Sequence, residues 1–383
     1  MRRALLWVVL PLTLLLVGAL GVGGWYYSDQ LLPAPPPWEP VLDLTVTAVD
    51  PQAQTLTVAT TGGDVALPSI GFVGEDGLLA ASGEPTVEAG DTTRTVTLLD
   101  GEWPEVGEAV ATTVDTYRGD PATTLGLAFD RIEVASEAGA LPAWRVVPRE
   151  ATTDDTWVVI AHGRGGALSE GNRLLPLLDE LRLPSLTISV LNDPDAPADP
   201  DGFGYFGARE WRDLEAAIAH LVEVEGAEQV VLAGYSQGAS SSLSLLRRSD
   251  HADRVAGAVL ISPLVSLDAT LTLQAAERGI PEPIIPALLF STRWISTWRS
   301  GLDFSEVEHA ELADELPPGT PLLLTHGTAD TTIPHGPTRE LATLLGPQAT
   351  YAEYDGVEHV REWNQDRARF ESDLRTLLED VTG

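Results

Sequence analysis

Residues 234 to 238 read Gly-Tyr-Ser-Gln-Gly, and the segments beside them constrain this chain more than any other feature of its 383 residues. Before them, Glu228 to Ala233 is a short apolar run with the character of a buried strand. After them, Ala239 to Arg248 carries leucines at 243, 245 and 246, which predicts a helix. A G-x-S-x-G joining a strand to a helix forces a turn so tight that the serine takes strained backbone angles. Glycines two before and two after leave room for strand and helix to meet, and the Ser236 hydroxyl is pushed out over the sheet edge.

A serine hydroxyl is a poor nucleophile until a base takes its proton, and the base needs an orienting carboxylate. Behind such an elbow the partners follow in the order acid, then histidine. Pro321 to Thr325 reads as a buried strand, and the loop after it, His326-Gly-Thr-Ala-Asp330, ends on an acid. Ala349 to Tyr354 is the next strand, and its loop, Asp355-Gly-Val-Glu-His359, ends on a histidine. Asp330 is the candidate acid, and also a cap for the helix expected near Pro337. His359 is the candidate general base. His220, His251 and His309 fall on predicted helices with no partner, His335 is placed to line the cleft, and His326 reads as structural.

A tetrahedral oxyanion needs two backbone N–H donors. Gln237 supplies one. The loop His162-Gly-Arg-Gly-Gly166, after the strand Trp157 to Ala161, supplies the other through Arg164. The Arg164 guanidinium has two readings, a partner for a substrate anion or a solvated surface group. Gly163 and Tyr235 are further candidates for contact with substrate.

Together these residues resemble the α/β-hydrolase superfamily, over roughly residues 125–381. The resemblance rests on His162-Gly-Arg-Gly-Gly166, on the Ser236 elbow, on His326-Gly-Thr-Ala-Asp330 and on Gly356-Val-Glu-His359, with Pro142 to Pro148 similar to the paired strands that open many such domains. It implies an α/β-hydrolase fold with a mostly parallel eight-stranded sheet and helices on both faces. It also implies hydrolysis through a covalent acyl-enzyme, without cofactor. It leaves the substrate open among esters, thioesters and peptides, and includes non-catalytic members.

Cysteine is absent, which excludes disulfides, thiolate metal sites and a catalytic thiol, and the seven histidines show no metal-ligand spacing. Net charge is −34, almost all of it beyond Val41, so nucleic acid and anionic lipid are disfavoured partners. Four Asp between Asn192 and Gly202 suggest calcium, but the prolines and spacing do not match an EF-hand, and a solvated acidic loop is the better reading.

Ala4 to Gly24 carries no charge over 21 residues, enough to span roughly 30 Å as a helix. Arg2 and Arg3 before it, and Trp25, Tyr26 and Tyr27 after it, suit the two membrane interfaces. A single-pass signal anchor over residues 1–28 is expected, with the body outside the cytoplasm; the alternative is a secreted protein whose signal peptide is cleaved. Residues 29–40 form a proline-rich linker. Residues 41–120, with four alternating segments, predict a small antiparallel β domain of no evident chemistry. Residues 121–383 make the hydrolase-like domain, with a helical lid insertion at about 263–318. In that lid Leu267 to Ile280 and Ile284 to Trp298 read as helices, and Trp294 and Trp298, one turn apart, are candidates to line an acyl pocket.

The expected activity is therefore cleavage of a small-molecule ester by Ser236, His359 and Asp330. A serine aminopeptidase would instead need an acidic cluster facing Ser236, for which Glu306, Glu308 and Glu311 are candidates. A non-catalytic binding module is the third reading. Oligomeric state is not readable.

Overall fold

The computed structural model describes residues 2–36, 38–60, 62–149 and 155–382, without the side chains of residues 2–13 and 16. The chain opens with helix α1, Arg2–Leu31. Among the described residues no helix is long and apolar enough to cross a membrane, so the expected transmembrane helix is not found there. Arg2, Arg3 and the first half of the apolar run have side chains outside those residues. What the structure does place is the end of α1. Leu31 and Leu32 are buried among Tyr205, Phe206, Leu264 and Phe304.

Six strands follow: β1 Leu44–Asp50, β2 Thr55–Val58, β3 Ile70–Val73, β4 Gly77–Glu88, β5 Asp91–Gly101 and β6 Ala109–Thr113. All pair antiparallel and close into a barrel in the order β1-β2-β5-β4-β3-β6. Alternation puts Leu56, Val58, Phe72, Leu79 and Val96 inside, where side chains fill the barrel. Arg94 is buried with them and donates to the carbonyls of Val65 and Leu67, both at 2.6 Å, and of Pro68 and Gly83. Burial pulls its guanidinium down to about 10. Alternating segments had signalled four of these strands, β1, β2, β5 and β6. β3 and β4 are interleaved with glycine and acidic residues and carry little period-two pattern.

After the short helix α2, Pro121–Leu125, the second body begins with β7 Asp130–Ser136 and β8 Gly139–Val146. Then strands and helices alternate: β9 Thr156–Ala161, α3 Leu175–Glu180, β10 Ser185–Ile188, α4 Trp211–His220, β11 Gln229–Tyr235, α5 Gln237–Arg248 and β12 Val255–Ile261. Helices α6 Leu267–Glu277 and α7 Ile285–Ser300 come next, followed by β13 Leu322–Gly327, α8 His335–Leu345, β14 Ala349–Tyr354, α9 Glu362–Gln365 and α10 Arg367–Thr382. The sheet has eight strands in the order β14-β13-β12-β11-β9-β10-β8-β7. β9 to β14 are mutually parallel, and β7 and β8 form an antiparallel edge. Every residue of β9, β10 and β13 is buried, as parallel strands covered on both faces require.

Helix α5 is buried along its first ten residues, and small side chains make this feasible. The Ser241 and Ser242 hydroxyls donate back to Gln237 O and Gly238 O, so burial leaves them satisfied. A Cβ on Gly238 would lie 2.3 Å from Ala161 O, and one on Gly234 would lie 2.6 Å from the Ala239 backbone. Here backbone meets backbone and no side chain can yield. Gly238→Ala is expected to destabilise the fold by about 1–3 kcal/mol or more, read as a lower urea midpoint at unchanged slope.

Candidate active site

Strand β11 ends and α5 begins at Ser236, whose φ of 51° and ψ of −109° match no regular element. The strained residue is tied on both sides. Its N–H donates to Ile261 O at 2.8 Å, and its carbonyl accepts from Leu264 N and Ser240 N at 3.2 Å. Ser236 Oγ lies 3.0 Å from His359 Nε2, and His359 Nδ1 lies 2.6 Å from Asp330 Oδ2. With the proton on Nδ1, Nε2 is the acceptor for the serine O–H. Three loops, after β11, β13 and β14, thus bring together the three residues singled out in the sequence.

Asp330 is held more firmly than the sequence indicated. Its Oδ1 accepts from Thr332 N and Ile333 N, both at 2.8 Å, in the loop before α8; the N-cap of that helix is Pro334, so Asp330 does not cap it. Its Oδ2 accepts a second imidazole N–H, from His326 Nε2 at 3.0 Å, while Thr338 Oγ1 sits 2.8 Å from His326 Nδ1. Burial works against the carboxylate, but the hydrogen bonds from His326 and His359 outweigh it and hold the group well below the usual range. It stays ionised at any working pH, as an orienting acid must. His335 lies against the His326 ring and does not line the cavity above Ser236.

The loop after β9 approaches from the other side. Gly163 packs behind Ser236, where a Cβ would be 3.3 Å from Ser236 Cβ. Its N–H is already used, donating to Glu170 Oε2 at 2.7 Å. That leaves Arg164 N–H and Gln237 N–H, the two expected donors, without an acceptor among the described residues, and both residues border the cavity above Ser236. The Arg164 guanidinium fits neither sequence reading. It is mostly buried, donates to Leu31 O at 2.9 Å and to Pro33 O, and lies over the Phe206 ring. It fastens the end of α1 to this loop.

Above Ser236 and His359 opens a cavity of about 380 Å³. Its walls are mostly apolar, with Leu264, Leu267 and Leu271 from around α6, Leu288 and Leu289 from α7, and Ile333 from the β13 loop, and Gln274 and Arg278 add polar groups. Tyr27, Gln30 and Leu31 of α1 complete it. Helix α1 reaches this position by packing along α7. Ser291 Oγ donates to Leu20 O, the Ser28 and Ser296 hydroxyls meet at 3.1 Å, and Arg299 pairs with Asp29 at 2.7 Å. No acidic side chain lines this cavity among the described residues.

Three substrate-contact expectations are corrected. Trp294 and Trp298 are 67% and 70% exposed and face away from the cavity, because the phase of α7 turns Leu288 and Thr292 inward and sets Phe290, Trp294 and Trp298 on the outer stripe. Tyr235 is 1% exposed and points into the core under the Arg173 guanidinium, since side chains alternate along β11 and its neighbour carries the nucleophile. In the acidic loop after β10, Asp195 and Asp201 are exposed, while Asp193 accepts from Val190 N and meets His162, and Asp199 accepts from Phe203 N and the Tyr205 hydroxyl.

The supporting roles of several residues were not legible in the sequence, even that of His162, which opens a motif. Glu170 lies seven residues beyond the N–H it holds and is buried against Arg173. His162 is buried with Nε2 at 2.6 Å from Asp193 Oδ2. Burial disfavours its charged form, yet Asp193 prevails and pushes the ring up to about 9. The stabilisation from this pair is therefore complete below about pH 6.5 and fades as pH rises through about 9. Asp193→Asn is expected to lower the melting temperature by several degrees near pH 6 and by much less above pH 9, measured by scanning calorimetry.

No family model matches the chain, and no curated protein matches it. Solved structures do. The Pyrococcus furiosus esterase Pf2001 is similar in two crystal forms, at 18% identity and TM-scores of 0.54 and 0.55; each match covers 70% of this chain and 97% or 95% of the esterase. A structure of DcsB in complex with its substrate analogue is similar at 13% identity and a TM-score of 0.50, over 66% of this chain and all of DcsB. At such identities the likeness speaks for the fold alone. Over about two thirds of its length this chain has an α/β-hydrolase-like fold, the fold of the Pf2001 esterase.

Proposed function

We propose that this protein is a serine hydrolase that cleaves carboxylic esters through an acyl-enzyme. The observation that carries the reading is the unbroken chain from Ser236 Oγ to His359 to Asp330, at 3.0 and 2.6 Å, on the floor of a mostly apolar cavity. His359 Nε2 takes the serine proton as Oγ attacks the carbonyl carbon, and the carbonyl π electrons move onto oxygen. The N–H groups of Gln237 and Arg164 stabilise that oxyanion. His359 then protonates the departing alkoxide, the C–O bond breaks, and the acyl group remains on Ser236. Water, deprotonated by the same imidazole, releases it and restores the serine.

An ester is favoured over a peptide N-terminus by the cavity's lining. Glu306 pairs with Arg248, Glu308 accepts from Asp268 N, and neither they nor Glu311 line the cavity. The leucine-rich wall fits the acyl chain of the substrate. Location is read from the sequence: the uncharged run Ala4 to Gly24 after Arg2 and Arg3 supports a membrane anchor with the body outside the cytoplasm. The exposed stripe Phe290, Trp294 and Trp298, meeting exposed Trp25 of α1, suits a membrane interface.

The test uses the full chain in detergent, treated with a fluorophosphonate probe beside Ser236→Ala. Stoichiometric labelling at Ser236, absent from the variant, is expected; no labelling of a folded, monodisperse wild type contradicts the mechanism. With p-nitrophenyl esters, kcat/KM is expected to rise about fourfold per added methylene until the cavity is full, since each buried methylene contributes about 0.8 kcal/mol. A flat profile from acetate to octanoate contradicts the acyl-pocket assignment.

A further inference from the structure

The β barrel has no candidate chemistry of its own, yet one of its contacts with the second body, beside those to Asn364, reaches the segment His359-Val360-Arg361. Arg361 makes a two-pronged ion pair with Asp64 of the barrel, Nε to Oδ1 at 2.6 Å and Nη2 to Oδ2 at 2.8 Å. Its remaining nitrogen, Nη1, donates to His359 O at 2.9 Å. One guanidinium therefore joins the barrel to the backbone of the general base. A planar fork fixes direction as well as distance, which a single contact does not.

Asp64 is itself anchored. It sits on a single helical turn, Gly63–Ala66, inside the barrel's span. The buried Arg94 grips that turn through the carbonyls of Val65 and Leu67. A rigid path thus runs from the barrel interior through Asp64 and Arg361 to His359. Beside it, Asn364 Nδ2 donates to Ser69 O and Val114 O of the barrel, both at 3.0 Å, and Asn364 Oδ1 accepts from Arg173. Arg173 in turn donates to Val360 O at 3.0 Å.

The segment being held needs holding. Val360 has φ of 57°, the left-handed region that a β-branched residue rarely adopts. A strained backbone persists only where its surroundings over-determine it. Val360 N donates to Ser262 Oγ, Val360 O accepts from Arg173, and Arg361 is clamped by Asp64. Of these ties, the last comes from the barrel.

We infer that the barrel is a positioning element for the proposed general base: Asp64, acting through Arg361, holds the strained loop that aims His359 at Ser236. The inference rests on the serine-hydrolase reading above. Asp64 touches no reacting atom, so its removal affects turnover and leaves the acyl cavity intact. A misplacement of the imidazole by a fraction of an ångström to an ångström costs on the order of tenfold to a hundredfold in rate.

The experiment compares full-length wild type, Asp64→Ala, Asp64→Glu and Arg361→Lys on p-nitrophenyl butyrate, with circular dichroism and melting temperature measured on each. For Asp64→Ala, kcat is expected to fall about tenfold or more with KM within about twofold, in a folded protein. Asp64→Glu, which retains the carboxylate, is expected to recover most of kcat. Arg361→Lys, which keeps the charge but loses the fork, is expected to fall between. An unchanged kcat for Asp64→Ala, or an Asp64→Glu variant no better than Asp64→Ala, overturns the inference and leaves the hydrolase reading standing. A rise in KM at constant kcat also overturns it. A wild type that neither turns over ester nor takes the fluorophosphonate label overturns both.

Discussion

The backbone of Ser236 is the constraint on which the rest of the site depends. A residue at φ 51° and ψ −109° is held there against its own preference, and each restraint on it is structural. The strand hands its N–H to Ile261 O, the helix begins at Gln237, and Gly234 and Gly238 let the two elements close without a Cβ between them. The consequence is a hydroxyl that borders the cavity, with the Gln237 N–H free beside it. From that point the neighbouring loops have only to deliver an imidazole, a carboxylate and a second N–H. The parallel sheet delivers them, because β9, β13 and β14 end on the same side as β11.

Two appended elements then shape this common core. Helix α1, from the far end of the sequence, lies along α7 and completes the cavity over Ser236 with Tyr27, Gln30 and Leu31. Arg164 fastens it to the oxyanion-side loop. The barrel meets the His359 loop through the Asp64–Arg361 pair. The cavity and the proposed base are thus each completed by a segment outside the hydrolase-like body.

The sequence made the elbow, Asp330 and His359 readable for a physical reason. Each sits in a polar, glycine-bearing loop directly after a short apolar run, so local pattern and chain order suffice to find it. The strands β9, β12 and β14 were readable in the same way. What could not be read was phase and long-range contact. Helix α7 carries Leu288, Leu289 and Phe290 in succession, so its apolar residues do not say which face turns inward, and Trp294 and Trp298 were assigned to the wrong side. Tyr235 beside the nucleophile was expected at substrate, but strand alternation buries it. Arg164, Glu170 and Arg361 act on partners far away in sequence, and single-residue character gives no hint of that. The packing of the apolar N-terminal run against α7 was not readable either.

The account is tested most directly by a crystal structure of the full chain after reaction with a phosphonate ester. A bond from phosphorus to Ser236 Oγ is predicted, with His359 Nε2 turned to the leaving-group side. The phosphonyl oxygen should lie about 2.7–3.1 Å from the N–H groups of both Gln237 and Arg164. A phosphonate on another residue, or a phosphonyl oxygen turned to solvent with those two N–H groups unused, would contradict it.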